Sequence, residues 1–412
     1  MEDLKTYKLG DLVSIQSGGT PNKAIASYWG GNIPWISAKT MYVDFITDSD
    51  LYITEEGLKN GSKLAPVGSI LLLTRGSGLF NRIPVCMVNN EVAYNQDIKC
   101  IAVKENSFTS NLFIFYWLYS HKELLSGILE TTGIGAGKID TSRLLDIDVH
   151  LPDLETQHRY IQICSSILEK IEVNKRINDN LEQQAQALYK SWFVDFEPFK
   201  DGDFIDSEMG SIPRGWKIGK IKDIIDLLSG FPFKSSDFTK NGEYQLITIK
   251  GVQDGYLDVT SADRLSYLPS KMPHYCILKI GDILISLTGN VGRICIVDRK
   301  DLLLNQRVAI VSPKNKRDSF YAYTMFRNDS FKNELIHLAR GTAQLNLSPV
   351  ETADKLTIIP PDIILEDFAK IGQDIFKQYV STKMENIRLC EMRDSLLPKL
   401  MSGELKINEI DR

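Results

Sequence analysis

Apolar positions along this chain follow two rhythms, and each rhythm occurs twice. Short apolar runs bounded by Gly, Asn and Asp turns cover residues 33–36, 70–73 and 85–88, then 245–249, 283–287 and 294–297. Runs of this length between turn formers predict β-strands. A short stretch patterned as helix precedes each set, at 9–16 and 221–228, with Gly18 and Gly230 as expected C-caps. A longer helical stretch follows each set, at 112–125 and 320–339.

The rhythm then changes. Residues 155–193 and 364–400 lack Gly apart from Gly372, lack Pro before Pro398, and are rich in Glu, Gln, Lys, Asn, Ile and Leu. In the first, Cys164, Ile167, Ile171, Asn174, Asn178, Leu181, Ala185, Leu188 and Trp192 alternate spacings of three and four. That is a heptad stripe with polar breaks at Asn174 and Asn178. The second offers a less regular stripe of Phe368, Ile371, Ile375, Thr382, Leu389, Met392 and Leu396. At 1.5 Å per residue each segment makes a rod of roughly 58 Å. One such helix cannot bury its stripe alone, so two separated by a globular unit are expected to pair antiparallel. The alternative is that each packs on its own domain. The expected interface residues are Ile167, Ile171, Leu181, Leu188 and Trp192 with Ile371, Ile375, Leu389 and Leu396.

The duplication is also literal. Gly68-Ser69-Ile70-Leu71-Leu72-Leu73 matches Gly281-Asp282-Ile283-Leu284-Ile285-Ser286, and Asn95-Gln96 matches Asn305-Gln306. Residues 135–142 (GAGKIDTS) match 341–348 (GTAQLNLS), and Leu151-Pro152 corresponds to Ile359-Pro360. Slowly drifting offsets with preserved order mean two copies with small insertions and deletions. The expected fold class is α+β, with two pseudo-repeated mixed α/β domains separated by two long helices that form an antiparallel coiled coil. The expected boundaries are 1–152, 153–200, 201–361 and 362–412, with a polar, turn-rich linker at 195–210.

Composition narrows the class. The chain has 412 residues, 43% hydrophobic and 25% charged, a profile for two or three globular domains. No apolar run approaches a membrane span. The start Met1-Glu2-Asp3-Leu4-Lys5 lacks the pattern of a signal peptide. The six cysteines form no CxxC pair, so they read as reduced thiols in the cytoplasm. Net charge is -5, with 13 basic and 16 acidic residues in 1–150 and 21 basic and 19 acidic in 201–360. A DNA reader of this composition needs local basic faces or help from a partner.

Catalytic motifs are missing. Residues 133–138 (GIGAGK) suggest a phosphate loop, but Thr132 stands where its first Gly is needed and Ile139 where Ser or Thr is needed. The segment reads as a turn. There is no N/D-P-P-Y/F segment to hold a target amine, and no GxSxG elbow. The five histidines show no ligand spacing with Cys or with each other, so no metal is expected.

Four segments carry a family resemblance. They are residues 187–196 (ALYKSWFVDF), 210–216 (GSIPRGW), 341–348 (GTAQLNLS) and 393–405 (RDSLLPKLMSGEL). Together and in order they resemble the specificity (S) subunit of type I restriction–modification systems over the whole chain. The resemblance implies two target recognition domains, each reading one half of a split double-stranded DNA site. It implies that the helix pair sets the spacing and docks two methyltransferase (M) subunits, with restriction (R) subunits joining later. S-adenosylmethionine then belongs to the M subunits and no cofactor to this chain. The first copy departs from the pattern, because Lys138 stands where the second copy carries Gln344.

Loops between strands supply the candidate DNA contacts, since Arg reads guanine, Asn and Gln read adenine, and Lys, Ser and Thr hold phosphates. In the first copy they are Thr20, Lys23, Lys39, Arg75, Ser77, Asn95, Gln96 and Lys138. In the second they are Lys234, Ser235, Thr288, Asn290, Arg293, Gln306, Arg307 and Gln344. Arg75 and Arg293 sit in glycine-flanked turns that suit an exposed donor, though single arginines there are more often solvated than specific. The two Asn-Gln pairs are either readers or structural amides that close a turn. Trp35, Phe231 and Phe233 suit core packing better than stacking on a base. Loops that differ between the copies are the better base readers, because the two half-sites differ. The resulting reading is a non-enzymatic DNA specificity subunit with half-sites about one helical turn, roughly 34 Å, apart. Its rivals are a two-domain protein adaptor without DNA and a standalone methyltransferase.

Overall fold

The computed structural model describes residues 4–105, 108–133, 135–341 and 344–405. Ile134, Thr342 and Ala343 of the two domain-end loops lie outside the described residues. The chain forms two compact units, Met1–Lys170 with Leu389–Arg412, and Ile171–Arg388.

In the first unit, strands Val13–Ser17, Ile98–Val103, Ile70–Leu73, Val85–Val88 and Phe45–Ile46 form one sheet in that order. A second sheet orders Tyr52–Ile53, Trp29–Ile36, Val92–Tyr94 and Lys63–Ala65, with a parallel pair between Trp29–Ile36 and Val92–Tyr94. The second unit repeats the plan with Ile225–Ser229, Val308–Pro313, Ile283–Ser286 and Ile294–Ile296, and with Arg264–Leu265, Tyr244–Ile247 and Leu302–Leu304. Its parallel pair, Tyr244–Ile247 with Leu302–Leu304, is the counterpart of the first. The central strands Ile70–Leu73 and Ile283–Ser286 are buried at every position, which is why Ile70–Leu73 and residues 283–285 read as apolar runs.

The expected opening helices are mostly strand. Leu9–Leu12 makes one turn, and Val13–Ser17 then pairs with Ile98–Val103. Ile221–Asp223 is a single 3-10 turn before Ile225–Ser229 pairs with Val308–Pro313. Tertiary hydrogen bonding to an edge position overrides the local helical spacing. Gly18 and Gly230 are therefore not helix caps. Each lies against the following turn, where an added Cβ would stand 2.3 Å from the carbonyl oxygen of Asn95 or Asn305.

The later helical stretches are each broken once. Asn111–Ser120 and Lys122–Gly127 meet at His121, and Ser319–Arg327 and Asp329–Leu338 meet at Asn328. Asn328 accepts a hydrogen bond from the Phe331 backbone amide at 3.3 Å, capping the new helix. The 195–210 segment is more ordered than expected, since it contributes strand Phe204–Ser207 to a hairpin with Gly210–Pro213.

The first long helix runs Leu154–Tyr189 and continues as a π-turn over Lys190–Val194. Asp153 caps its start, accepting from the Thr156 amide at 3.0 Å. The second runs Asp362–Met401, with Pro398 in its last turn. Within the second unit the two helices lie antiparallel. Asn174 meets Asn386, and further along Phe193 meets Phe368 at 4.7 Å between rings. Both also pack on the helix Ser319–Arg327, which for the second long helix is its own domain: the Tyr321 ring lies 4.8 Å from Phe193, and Phe320 stacks on Phe368 at 5.1 Å. Within the first unit, Tyr116 and Ser165 hydroxyls are 2.8 Å apart and the Tyr160 hydroxyl donates to Leu405 at 3.5 Å.

The first stripe is correct. Ile167, Ile171 and Leu181 are buried, and Leu188 and Trp192 half-buried. The second needs correction. Ile371 and Met392 are 49% and 46% exposed, while Ile375, Leu389 and Leu396 are half-buried. Phe368 and Thr382 of the expected stripe are buried, and Leu365, Tyr379, Leu397 and Leu400 complete the buried face. Ile371 sits one residue short of Gly372, whose missing side chain lets the helix approach Phe320. A step of one residue turns a side chain by about 100°, enough to leave the contact face.

Candidate nucleic-acid interface

In the first domain a continuous set of hydrogen bonds joins the candidate loops. The Thr20 hydroxyl donates to Gln96 at 2.5 Å. The next residue, Asp97, accepts through its carbonyl from both the amide and the hydroxyl of Thr74, at 2.8 and 3.0 Å. Arg75 follows, on a two-residue strand whose cross-strand partner is Lys138 in Gly137–Ile139. Thr20, Gln96, Arg75 and Lys138 thus share one surface, with exposed Ser77 at its end. Lys23 and Lys39 are exposed on neighbouring loops outside this set.

Lys99 belongs to the same surface and was missed. It alternates with buried Ile98 and Cys100, so the strand turns it away from the core. Its Nζ donates to Ser17 Oγ at 2.6 Å. Burial, together with the Arg75 and Lys138 charges, holds its pKa below the usual lysine value. The sequence signal was that alternation, hidden because a single lysine between apolar residues is also common on any solvated strand face.

The Asn-Gln turns separate into two roles. Asn95 is buried, and its Oδ1 accepts from the Asp97 amide at 3.1 Å. Its own amide donates to Ile36 at 3.0 Å, and the Asn305 amide donates to Ile247 at 3.1 Å. Both asparagines close a turn against Gly18 or Gly230 and are structural amides. Gln96 and Gln306 remain exposed.

In the second domain, Leu287 donates to Arg307 at 3.0 Å and Gly289 donates to Leu345 at 2.9 Å. The Thr288 hydroxyl, buried, donates to Asn346 Oδ1 at 2.8 Å. Gln344 is exposed beside Gly289. Lys234, Ser235, Asn290, Gln306 and Arg307 are exposed on the adjoining turns. Arg293 differs from expectation: it is half-buried, and its guanidinium donates to Gln253 at 2.6 Å. With the Asn290 amide turned so that its oxygen faces Arg293, the pair bonds at 3.0 Å. Arg293 braces its turn instead of standing free.

The structure corrects the alignment of the domain-end loops. Lys138 pairs with Arg75, and Ile139 donates to Thr74 at 2.8 Å. Thr288 bridges Asn346, and Leu347 donates to Leu287 at 2.7 Å. Asp140 and Ser348 then occupy the same N-cap in front of Thr141–Leu145 and Pro349–Ala353. The counterpart of Lys138 is Asn346, two residues beyond Gln344. The two-residue error kept the same strand face, so it was invisible to pattern matching. At equivalent positions the first domain carries Arg75, Lys99 and Lys138, and the second carries Thr288, Ala309 and Asn346.

Trp35 is core: it is 4% exposed, and its indole donates to Gly19 at 3.1 Å. Phe231 and Phe233 pack edge to face at 5.2 Å, half-buried. Phe193, passed over in favour of Trp192, is the hub of an aromatic cluster with Tyr189, Trp216, Tyr321 and Phe368, at 4.7–5.8 Å. The π-turn turns Phe193 inward, so residues 187–196 and 210–216 are linked by packing.

Among the described residues no group of His, Cys, Asp and Glu is placed to hold a metal ion, and no helix is long and apolar enough to cross a membrane. No disulfide joins the cysteines among the described residues, and burial pushes the Cys295 thiol up to about 12.

Two sets of sheets of one plan, with unlike loop ends, define the class: a chain built from two copies of one mixed α/β domain. The family of type I restriction modification DNA specificity domains matches residues 1–183 and again 213–385. The chain belongs to this family and carries its domain twice. It is similar to the type I restriction enzyme MjaIX specificity subunit of Methanocaldococcus jannaschii, 28% identical over 420 residues, covering 99% of this chain and 95% of that one. It is also 27% identical to the HindI specificity subunit of Haemophilus influenzae, covering 71% and 77%. The crystal structure of a type I restriction-modification S subunit from M. genitalium has the same fold, with a TM-score of 0.57 at 15% identity over 97% of this chain and 96% of that one.

Proposed function

We propose that each domain reads one half of a bipartite double-stranded DNA site and that the paired helices set the distance between the halves. The chain is a binding subunit. Two methyltransferase subunits dock on it and supply S-adenosylmethionine and the chemistry, directed at adenine, and restriction subunits join that complex in the cytoplasm. The chain itself binds no cofactor. The partners contribute part of the phosphate contact, which fits a net charge of -5.

One observation carries this reading. The two domains repeat their sheets and their Asn-Gln turns, yet the residue after each turn is acidic Asp97 in the first and basic Arg307 in the second, at equivalent places in the two ladders. A shared frame with unlike tips is what two different half-sites require. A protein adaptor with two alike partners would keep its tips alike.

Filter binding of the reconstituted complex to random duplexes tests it. Salt-sensitive retention enriched in one split sequence is expected. Retention without sequence preference, or none, would leave the adaptor reading.

A further inference from the structure

We propose that Arg75, Lys99 and Lys138 form a phosphate grip in the first domain that the second domain lacks. The proposal rests on the DNA-reading function above and assigns these three side chains to the backbone instead of to base edges.

The geometry is unusual for a resting protein surface. Arg75 and Lys138 are directly opposed across two strands. Like charges in that relation repel and destabilise a strand pair. Lys99 adds a third cation, half-buried and held by Ser17 at 2.6 Å. Of the carboxylates on the neighbouring elements, Glu130 is engaged elsewhere and Asp140 offsets one of the three charges. Glu130 is opposite Lys138 in the next strand, but its Oε1 bonds Arg143 at 3.0 Å. Asp140 caps the helix Thr141–Leu145 through Oδ1, accepting from the Ser142 amide at 2.9 Å, and its Oδ2 pairs with Lys138 Nζ at 3.6 Å, which leaves Arg75 and Lys99 without a carboxylate partner among these groups. The surface therefore keeps an uncompensated cationic excess at a strand end. An anion with several oxygens neutralises it, and a DNA phosphate is the anion this domain meets.

The second domain shows the alternative. Thr288 and Asn346 occupy the opposed positions and hydrogen-bond each other at 2.8 Å, and Ala309 replaces Lys99. That pair is self-satisfied and carries no charge. The salt-sensitive hold at this position therefore falls on the first half-site alone.

The test is the salt dependence of DNA binding by the complex of this chain with its methyltransferase subunits, using a duplex that carries its methylated site. Each phosphate contact contributes about 0.9 to the slope of log K against log salt. The Arg75→Gln/Lys138→Gln double variant is expected to lower the slope magnitude by about 2, with the preferred sequence unchanged. Lys138→Arg keeps the charge and is expected to keep the slope, which separates electrostatics from misfolding. The Thr288→Val/Asn346→Ala variant is expected to leave the slope unchanged. If wild type is retained selectively and the double variant keeps the full slope, the grip is wrong and the DNA-reading function stands. A full slope with a changed first half-site reassigns the pair to base edges and also overturns the grip. If wild type shows no selective retention, both readings fall.

Discussion

The side-chain amide of Asn174 donates to Asn386 at 2.9 Å and to Glu385 at 2.8 Å. Asn386 returns a bond to the Ile171 carbonyl at 3.3 Å. The most deeply buried polar position of the first long helix, 1% exposed, is thus matched side chain to side chain by the second. A buried Asn at a stripe position fixes register at some cost in stability. Asn174→Ala leaves the Glu385 and Asn386 groups without this donor, a loss of about 1–3 kcal/mol. A fall in melting temperature of several degrees is expected by calorimetry. An unchanged melting temperature would show that the match is incidental.

Glu182 and Arg327 form a second tie between the first long helix and the second domain. They pair at 3.2 Å with both side chains 17% exposed, and Arg327 also reaches Asp254. Burial alone would lower the Arg327 pKa, but Glu182, Tyr323 and Asp254 keep it above its ordinary value. Breaking a buried pair from one side costs about 3–5 kcal/mol. Arg327→Met is therefore expected to unfold the second unit at markedly lower denaturant, read by urea titration. Glu182→Met/Arg327→Met is expected to recover part of the loss, and a double variant worse than the single contradicts the pairing.

Gly18 and Gly230 test the equivalence of the two turns. A Cβ at either site collides with a carbonyl oxygen at 2.3 Å, and both oxygens belong to the Asn of an Asn-Gln turn. Gly18→Ala and Gly230→Ala are each expected to cost about 1–3 kcal/mol and to weaken DNA binding through the displaced turn. Thermal unfolding with binding on the same samples checks this, and wild-type values for either variant would refute the close approach.

His121 makes the first unit acid-sensitive. It stacks on Trp117 at 4.4 Å and its Nδ1 lies 2.8 Å from the Trp117 carbonyl. Burial lowers its pKa, the Trp117 carbonyl opposes that shift, and the His150 charge adds to it. A folded pKa below 6.5 means the unfolded chain takes up the proton first. The stability this group contributes is complete above 6.5 and lost as pH falls through the lowered value. Between pH 7.5 and 5.5, about two units around that reference, His121→Gln is expected to lose less melting temperature than wild type. Equal losses would remove His121 as the cause.

Much of this architecture was legible in the chain. The long helices announce themselves because a heptad stripe needs a partner, and Ile167, Ile171 and Leu181 are buried as that stripe implies. The duplication was legible because the buried central strands Ile70–Leu73 and Ile283–Ser286 keep apolar residues at three equivalent positions. What escaped depends on distant pairing. Val13–Ser17 carries helix-compatible spacing and becomes a strand only because Ile98–Val103 lies beside it. Ile371 satisfies the heptad but loses its place to Gly372 and the ring of Phe320. In the candidate interface, Arg75 and Lys138 were named separately, and only the strand register opposes them. Asn346 was overlooked because a shift of two residues preserves strand parity.

The division of the DNA site between two domains is the central claim, and methylome sequencing tests it most directly. A host would express the complex with residues 1–150 replaced by the corresponding domain of another family member. The account predicts a split methylated sequence with one half altered and the other half as in wild type. Alteration of both halves, or of neither, would contradict it.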